Sequence, residues 1–318
     1  MASVPPPKIG DHYLLFHNLP YDFSADLPLA LGGGVCLEYT PQQWLEAAED
    51  GLAAYLIPGY GLPGMGLNNC CLRGYASSGP GINVTPVDLL FLSLIALRLH
   101  EPTAMQIAGQ FRLGRDEDRL LEPTLYQLSA SVPARGLPYK PSDIAIAAAI
   151  ADRMLAIDRN DFRRLQTALI FFGQVTLGVS KSFQLSHLGL FAALEALFVP
   201  SGNKAAGLSR RVSRFLEGFQ APDGTEAWVK REYVNGRNRL AHGVHGATFG
   251  TRLEPSNREA FVKLHEIVRF CLLGFLSLDD QMLRTLTLSS GTVLQRALDD
   301  MGSAMGPFVQ GRVARFDE

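Results

Sequence analysis

The sequence predicts an α+β protein: a mixed α/β region over residues 1–140, then an all-α helical bundle over 141–318. Three observations carry this reading. Residues 105–113, MQIAGQFRL, alternate apolar and polar side chains with period two, as a half-buried strand does. Two Thr-Pro dipeptides, at 40 and 85, carry helix-start signals in the same half. From about residue 141, apolar side chains recur at helical spacing in one segment after another. A length of 318 residues is consistent with about two domains. A chain of this size buries roughly three quarters of its unfolded surface, so it needs no disulfide or metal staple.

In chain order, VCLEY (35–39) reads as a short strand. It runs into TPQQWLEAAEDGLAAYLI, where Thr40 is a candidate N-cap, Pro41 the first helical residue, and Gln43 the partner in a capping box. Residues 57–83 are rich in Gly, Pro, Asn and Ser and read as a long loop. TPVDLLFLSLIALRLH starts a second helix, with Thr85 as cap and Asp88 in the first turn. In the strand that follows, Met105, Ile107, Phe111 and Leu113 share one face, and Gln106, Gln110 and Arg112 the other. Further on, Phe162, Leu165, Leu169 and Phe172 mark one helix. Residues 182–198, SFQLSHLGLFAALEALF, are apolar around most of the circumference and predict a central helix. Leu208, Val212, Phe215 and Phe219 form the stripe of the next. Ser256 and Glu259 suggest a capping box before Phe261, Leu264, Val268, Cys271, Leu272 and Phe275, and a short helix is expected near 292–300.

Composition narrows the function. The formal net charge is −2, so no global basic excess marks a nucleic-acid binder, and any anionic ligand needs a local cluster. Cys36, Cys70, Cys71 and Cys271 match neither a disulfide framework nor a zinc pattern, and suggest reduced thiols in a cytosolic protein. The N-terminus lacks a signal-peptide pattern, and no apolar run is long enough to span a bilayer. The expected location is therefore cytoplasmic, with no membrane partner.

Gly59, Gly61 and Gly64 fit G-x-G-x-x-G, but a helix-like segment precedes them and loop follows, so the strand–turn–helix context of a dinucleotide site is missing. Gly32–Gly34 read as a flexible turn. His242 and His245 lack a third ligand at useful spacing, so no metal and no cofactor are expected. His187 and His265 sit in helical segments and read as packing or surface residues. Glu195 lies on the nearly all-apolar helix, where a half-buried carboxylate requires a partner; Arg211, flanking the next helix's apolar stripe, is the candidate. That pairing ties two helices together and has a secondary use in orienting an active-site arginine.

The stretch YVNGRNRLAHGVHG (233–246) carries the main chemical signal. Arg237 and His242 are five residues apart, which on an unbroken helix places them about 140° from each other. Gly236 and Gly243 predict an irregular or terminating helix that brings them together. A guanidinium grips a phosphate, and an imidazole moves protons near neutral pH. Together they supply what RNA cleavage through the 2′-OH requires, without a metal. Spacing alone also fits a plain helix C-terminus, with Arg and His complementing the dipole and Gly243 as the C′ residue. The context is basic: from Lys204 to Arg239 there are eight Lys/Arg (204, 210, 211, 214, 230, 231, 237, 239) against four Asp/Glu (217, 223, 226, 232).

FAALEALF (191–198), LSRRVSRFLEG (208–218) and YVNGRNRLAHG (233–243), in that order, resemble HEPN domains, and the Apea-like group in particular. The resemblance covers roughly residues 142–300. It implies a HEPN-type helical bundle that forms a homodimer, and a metal-independent endoribonuclease whose R-x4–6-H motif supplies Arg237 and His242 as catalytic residues at a cleft between protomers. Asn238 would shape the site, with Glu195 and Tyr233 in support. Arg211, Arg239 and His245 would contact the RNA. Such proteins act in bacterial defence or toxin–antitoxin systems, with an antitoxin or regulatory partner. Arg239 and His245 also fit the motif; Asn238 after Arg237, and Tyr233 four residues before it on the same face, favour Arg237 and His242. Two alternatives stand: a non-catalytic HEPN module that binds nucleotide or RNA, and a structural dimerisation bundle in which Arg237 and Glu195 pair.

Overall fold

The structure is a computed structural model that describes residues 4–22, 27–47, 68–75, 85–103, 105–113, 120–125, 138–157, 162–176, 183–199, 204–241, 255–288, 291–314 and 316. The chain is α+β and divides into two compact units, Met1–Leu155 and Ala156–Glu318.

The first unit is built on an antiparallel sheet. Its strands are β1 (His12–Asn18), β2 (Leu29–Ala30), β3 (Val35–Tyr39), β4 (Cys70–Gly74), β5 (Gln106–Leu113) and β6 (Leu120–Leu125), in the order β2-β3-β4-β1-β5-β6. Strand β4 falls inside the stretch read as a loop, and this is a correction. All five of its residues are buried, because β1 and β3 pair on either edge while helices cover both faces. A strand enclosed in this way has no period-two alternation to recognise. On one face Tyr13, Leu15 and Cys71 pack with Trp44, whose ring meets Tyr13 edge-on at 4.8 Å. Trp44 belongs to α1 (Gln42–Ala47), and α2 (Pro86–His100) packs against β1, β3 and β4. Arg73, an apparent loop residue, lies buried with its Nη1 on Asp11, its Nε on Glu38 and its Nη2 on the Pro5 carbonyl. Three acceptors compensate its charge inside the sheet.

The expected cap at Thr85 forms a full capping box with Asp88. At Thr40 the N–H donates to the Asn69 carbonyl and the hydroxyl to the Asn68 carbonyl, joining β3 to β4, while the Gln43 side chain of the expected capping box lies outside the described residues. Gly32, Gly33 and Gly34 form the β2–β3 turn with φ of 78°, 56° and 90°, a region L side chains rarely adopt. Gly32 and Gly33 also lie against Asp152 and Leu155 of α3 (Pro141–Ala156). That packing joins α3 to the sheet of the first unit, which runs to Leu155. The Gly59-to-Gly64 motif and the continuation of the 40–57 helix beyond Ala47 lie outside the described residues.

The second unit is helical: α4 (Arg163–Thr176), α5 (Phe183–Phe198), α6 (Lys204–Leu216), α7 (Thr225–Glu232), a π-helical turn Tyr233–Arg237, α8 (Asn238–Ala241), α9 (Pro255–Ser277), α10 (Asp280–Leu288) and α11 (Gly291–Asp300). The stripes expected on α4, α6 and α9 are all buried. Phe198, Phe215 and Phe275 form an aromatic cluster with centroids 5.1–5.5 Å apart. Helix α5 packs against α4, α6 and α9, yet the most enclosed helix is α9, in which every residue from Leu264 to Leu276 is buried. His265, Glu266 and Arg269 interrupt its apolar pattern, which disguises this centrality in the sequence. Arg269 grips Glu266 in a bidentate pair at 2.8 and 2.9 Å. Burial pushes the Glu266 carboxyl up, but the Arg269 charge and the bonds from His265 and Arg269 outweigh it and hold Glu266 well below the usual range. Helix α9 begins at Pro255, which puts Ser256 in the first turn rather than at the cap. After α11 the chain returns as a non-helical strap. Ala304 and Ala314 N–H groups donate to the Phe215 and Phe219 carbonyls, and Phe308, Val309 and Phe316 are buried.

Candidate functional site

Helix α5 places His187, Phe191 and Glu195 at successive i, i+4 positions, so they form one stripe along its length. The segment Glu232–Arg237 packs onto that stripe. His187 Nε2 lies 3.0 Å from Glu232 Oε1. The Phe191 ring meets the Tyr233 ring edge-on at 5.4 Å. At the far end, Tyr233 Oη donates to Glu195 Oε1 at 2.9 Å, and Arg237 Nε lies 2.9 Å from the same oxygen. Lys204 Nζ is 3.5 Å from Glu195 Oε2, and the Arg237 guanidinium sits over the Tyr233 ring at 5.4 Å.

Backbone geometry makes this convergence possible. The Asn238 N–H bonds back to the Tyr233 carbonyl, five residues earlier, which defines the π turn. The irregular helix expected around Gly236 is therefore present. A Cβ at Gly236 would lie 2.5 Å from Glu232 Oε1 and 3.0 Å from His187 Cε1, so the Glu232–His187 pair would have to shift to admit one. The wider turn presents Tyr233 and Arg237 to one carboxylate oxygen.

The electrostatics follow from partial burial. Tyr233 is buried; desolvation, the hydrogen bond to Glu195 and that carboxylate's charge together push its phenol up to about 12, against the opposing Arg237 charge. Glu195 is half-buried, as expected of a carboxylate on that helix, but its partner is not Arg211. Arg211 instead donates from Nη1 to the Phe198 carbonyl and from Nε to Asp299, holding the C-terminal end of α5. Arg164 does the same at the Val199 carbonyl. Cations at a helix C-terminus complement its dipole, which explains why α6 spends Arg211 there.

Among the expected site residues, the structure thus joins Glu195, Tyr233 and Arg237, sets Asn238 beside them with its Oδ1 3.5 Å from Arg237 Nη1, and places Arg211 elsewhere. The Arg239 side chain, His242 and His245 lie outside the described residues. Lys204 and the His187–Glu232 pair were not among the residues expected at the site. The available signal was the i, i+4, i+8 stripe on α5, matched by acid, phenol, glycine and guanidinium in 232–237.

Chemically, Glu195 engages Arg237 through Nε and Asn238 Oδ1 lies 3.5 Å from Nη1, so the guanidinium is held on two sides; its other N–H groups are donors of the kind that receive an oxyanion. No group of three metal-ligating side chains occurs among the described residues. The four cysteines are free and buried, and desolvation first, with the nearby Glu38 charge adding at Cys36, pushes Cys36 and Cys70 up to about 12. These two are therefore poor nucleophiles. A cavity of about 570 Å³ lies in the first unit, lined among the described residues by Tyr39, Thr40, Pro41, Gln42, Leu45 and Asn69. No described helix is long and apolar enough to cross a membrane. Searches of family models, curated proteins and solved structures find no match to this chain.

Proposed function

We propose that the protein is a metal-independent endoribonuclease of HEPN type, acting as a homodimer in the cytoplasm, in a bacterial defence or toxin–antitoxin setting. The observation that carries the reading is the posture of Arg237. Glu195 holds its Nε, Asn238 Oδ1 lies 3.5 Å from its Nη1, the Tyr233 ring supports its guanidinium, and its other N–H groups serve as the donor edge. A pre-oriented guanidinium needs no reorganisation when charge develops on a phosphorane, which is where electrostatic catalysis gains most.

In this mechanism the Arg237 edge binds the two non-bridging oxygens of the scissile phosphate. His242 takes the proton from the 2′-OH. The 2′ oxygen attacks phosphorus, the bond to the 5′ oxygen breaks, and an imidazolium, from the same or the partner protomer, returns a proton to the leaving oxygen. The products are a 2′,3′-cyclic phosphate and a 5′-hydroxyl. Asn238 restrains Arg237 from the side, and Glu195 and Tyr233 position it. Residues 1–140 sense a trigger or restrain the nuclease.

The test is cleavage of single-stranded RNA in excess EDTA. The purified protein should cut, and His242→Ala should lose about 10²–10⁴-fold in rate. Cleavage that requires a divalent metal, or an unimpaired His242→Ala protein, overturns the mechanism. One observation also favours a structural bundle: the Arg237–Glu195 pair is what such a bundle would contain. Arg237→Gln separates the two readings. A fold-only role predicts lost stability with no RNA phenotype; the nuclease reading predicts lost cleavage in a folded protein.

A further inference from the structure

Lys204 occupies an electrostatically costly position. It opens α6, whose first turn contains no acidic residue. A cation at a helix N-terminus opposes the macrodipole. Among the described residues it meets Glu195 Oε2 at 3.5 Å, and with the Lys204 side chain 49% exposed such a pair returns little. Stability therefore does not account for a lysine here.

Its neighbours do. Glu195 is shared: Arg237 takes Oε1 and Lys204 takes Oε2. Arg237 and Lys204 thus flank one carboxylate, and these three side chains sum to a formal charge of +1, with the Glu232 carboxylate at the other end of the stripe engaged by His187. The group is also graded in exposure. Tyr233 is the buried floor, Glu195 and Arg237 are 17% and 24% exposed, and Lys204 is the open lip. A chain-like polyanion entering from solvent meets Lys204 first and Arg237 next. An ammonium suits the lip because it offers three freely rotating donors rather than a fixed fork.

We propose that Lys204 is a second phosphate-binding cation of this site, holding the phosphodiester adjacent to the one gripped by Arg237. Glu195 is then the spacer that sets the two cations apart. This rests on the ribonuclease reading above, and it specifies the substrate as a strand bound through consecutive phosphates rather than a lone terminal phosphate or a mononucleotide.

The experiment measures affinity for a short, fully 2′-O-methylated oligoribonucleotide, which lacks the attacking hydroxyl, across a salt series in EDTA. Wild type, Lys204→Gln and Lys204→Arg are compared. One lost contact to a single strand should make the slope of log K against log salt shallower by about 0.7 in Lys204→Gln, with a several-fold weaker complex at moderate salt. Lys204→Arg should keep the wild-type slope. Melting temperatures should be unchanged, which separates this from a structural role. If wild type binds and Lys204→Gln retains the full slope, the Lys204 proposal is wrong and the nuclease reading stands. If wild type does not bind at all, both fall.

Discussion

Glu195→Ala is the most informative single change, because one carboxylate serves three partners of different exposure. Tyr233 is 2% exposed, so its hydroxyl cannot turn to water when the acceptor is lost; an orphaned buried hydroxyl costs about 1–3 kcal/mol. Arg237 is about a quarter exposed and regains water, so the gross attraction of ~4 kcal/mol for a surface-like pair shrinks to about 1 kcal/mol net. Lys204 is half exposed and contributes close to nothing. The expected destabilisation is therefore about 2–4 kcal/mol, most of it through a tyrosine rather than through an ion pair. Glu195→Gln keeps an oxygen for the Tyr233 hydroxyl and should cost about 1 kcal/mol. The double variant Glu195→Ala/Tyr233→Phe removes the orphan, so it should fall short of the summed single costs by about 1–2 kcal/mol. Urea unfolding followed by far-ultraviolet circular dichroism measures wild type, Glu195→Ala, Glu195→Gln, Tyr233→Phe and the double variant. If Glu195→Ala lies within about 0.5 kcal/mol of wild type, or if the two changes add, the account of this site as one coupled unit is refuted.

Gly236→Ala would normally stabilise a helix by about 1 kcal/mol, but here the new methyl presses on the pinned His187 ring, and a net loss of about 1–3 kcal/mol is expected from urea unfolding. Arg269→Leu takes the bidentate partner from the buried Glu266 and should cost about 3–5 kcal/mol, whereas Arg269→Leu/Glu266→Leu should recover most of that loss in thermal melts. A chain ending at Asp300 loses the buried Phe308, Val309 and Phe316, each worth about 1.5–3 kcal/mol, and should show no cooperative helical transition by circular dichroism. The raised Tyr233 phenol means that the folded state holds its proton when the unfolded chain has released it. Stability should therefore fall as pH rises from 10 towards about 12, and this part of the loss should vanish in Tyr233→Phe.

The features legible in the sequence are those decided within a few residues. The 3.6-residue stripes of α4, α6 and α9, the alternation along β5, the Thr85–Asp88 capping box and the glycine turn before β3 all arise from contacts between positions one to four apart. The same holds for the irregular helix at Gly236, because a glycine amid Arg and Asn weakens regular helix locally. Tertiary structure decided the rest. Strand β4 is invisible in the sequence because burial on both faces erases its period. The enclosure of α9 is hidden because its polar residues satisfy one another inside the core. Above all, the partner of Glu195 depended on how helices cross. Arg211 on α6 and Arg237 on the π turn were both chemically suited to it, and both lie several helical turns or more away along the chain. The α5 stripe of His187, Phe191 and Glu195 faces the π turn, while Arg211 is drawn to the open carbonyl at the end of α5. Residue types alone made an arginine–carboxylate site available; only the packing of helix faces determined which arginine completes it, because an ion pair needs contact within a few ångströms and spacing along the chain does not provide it.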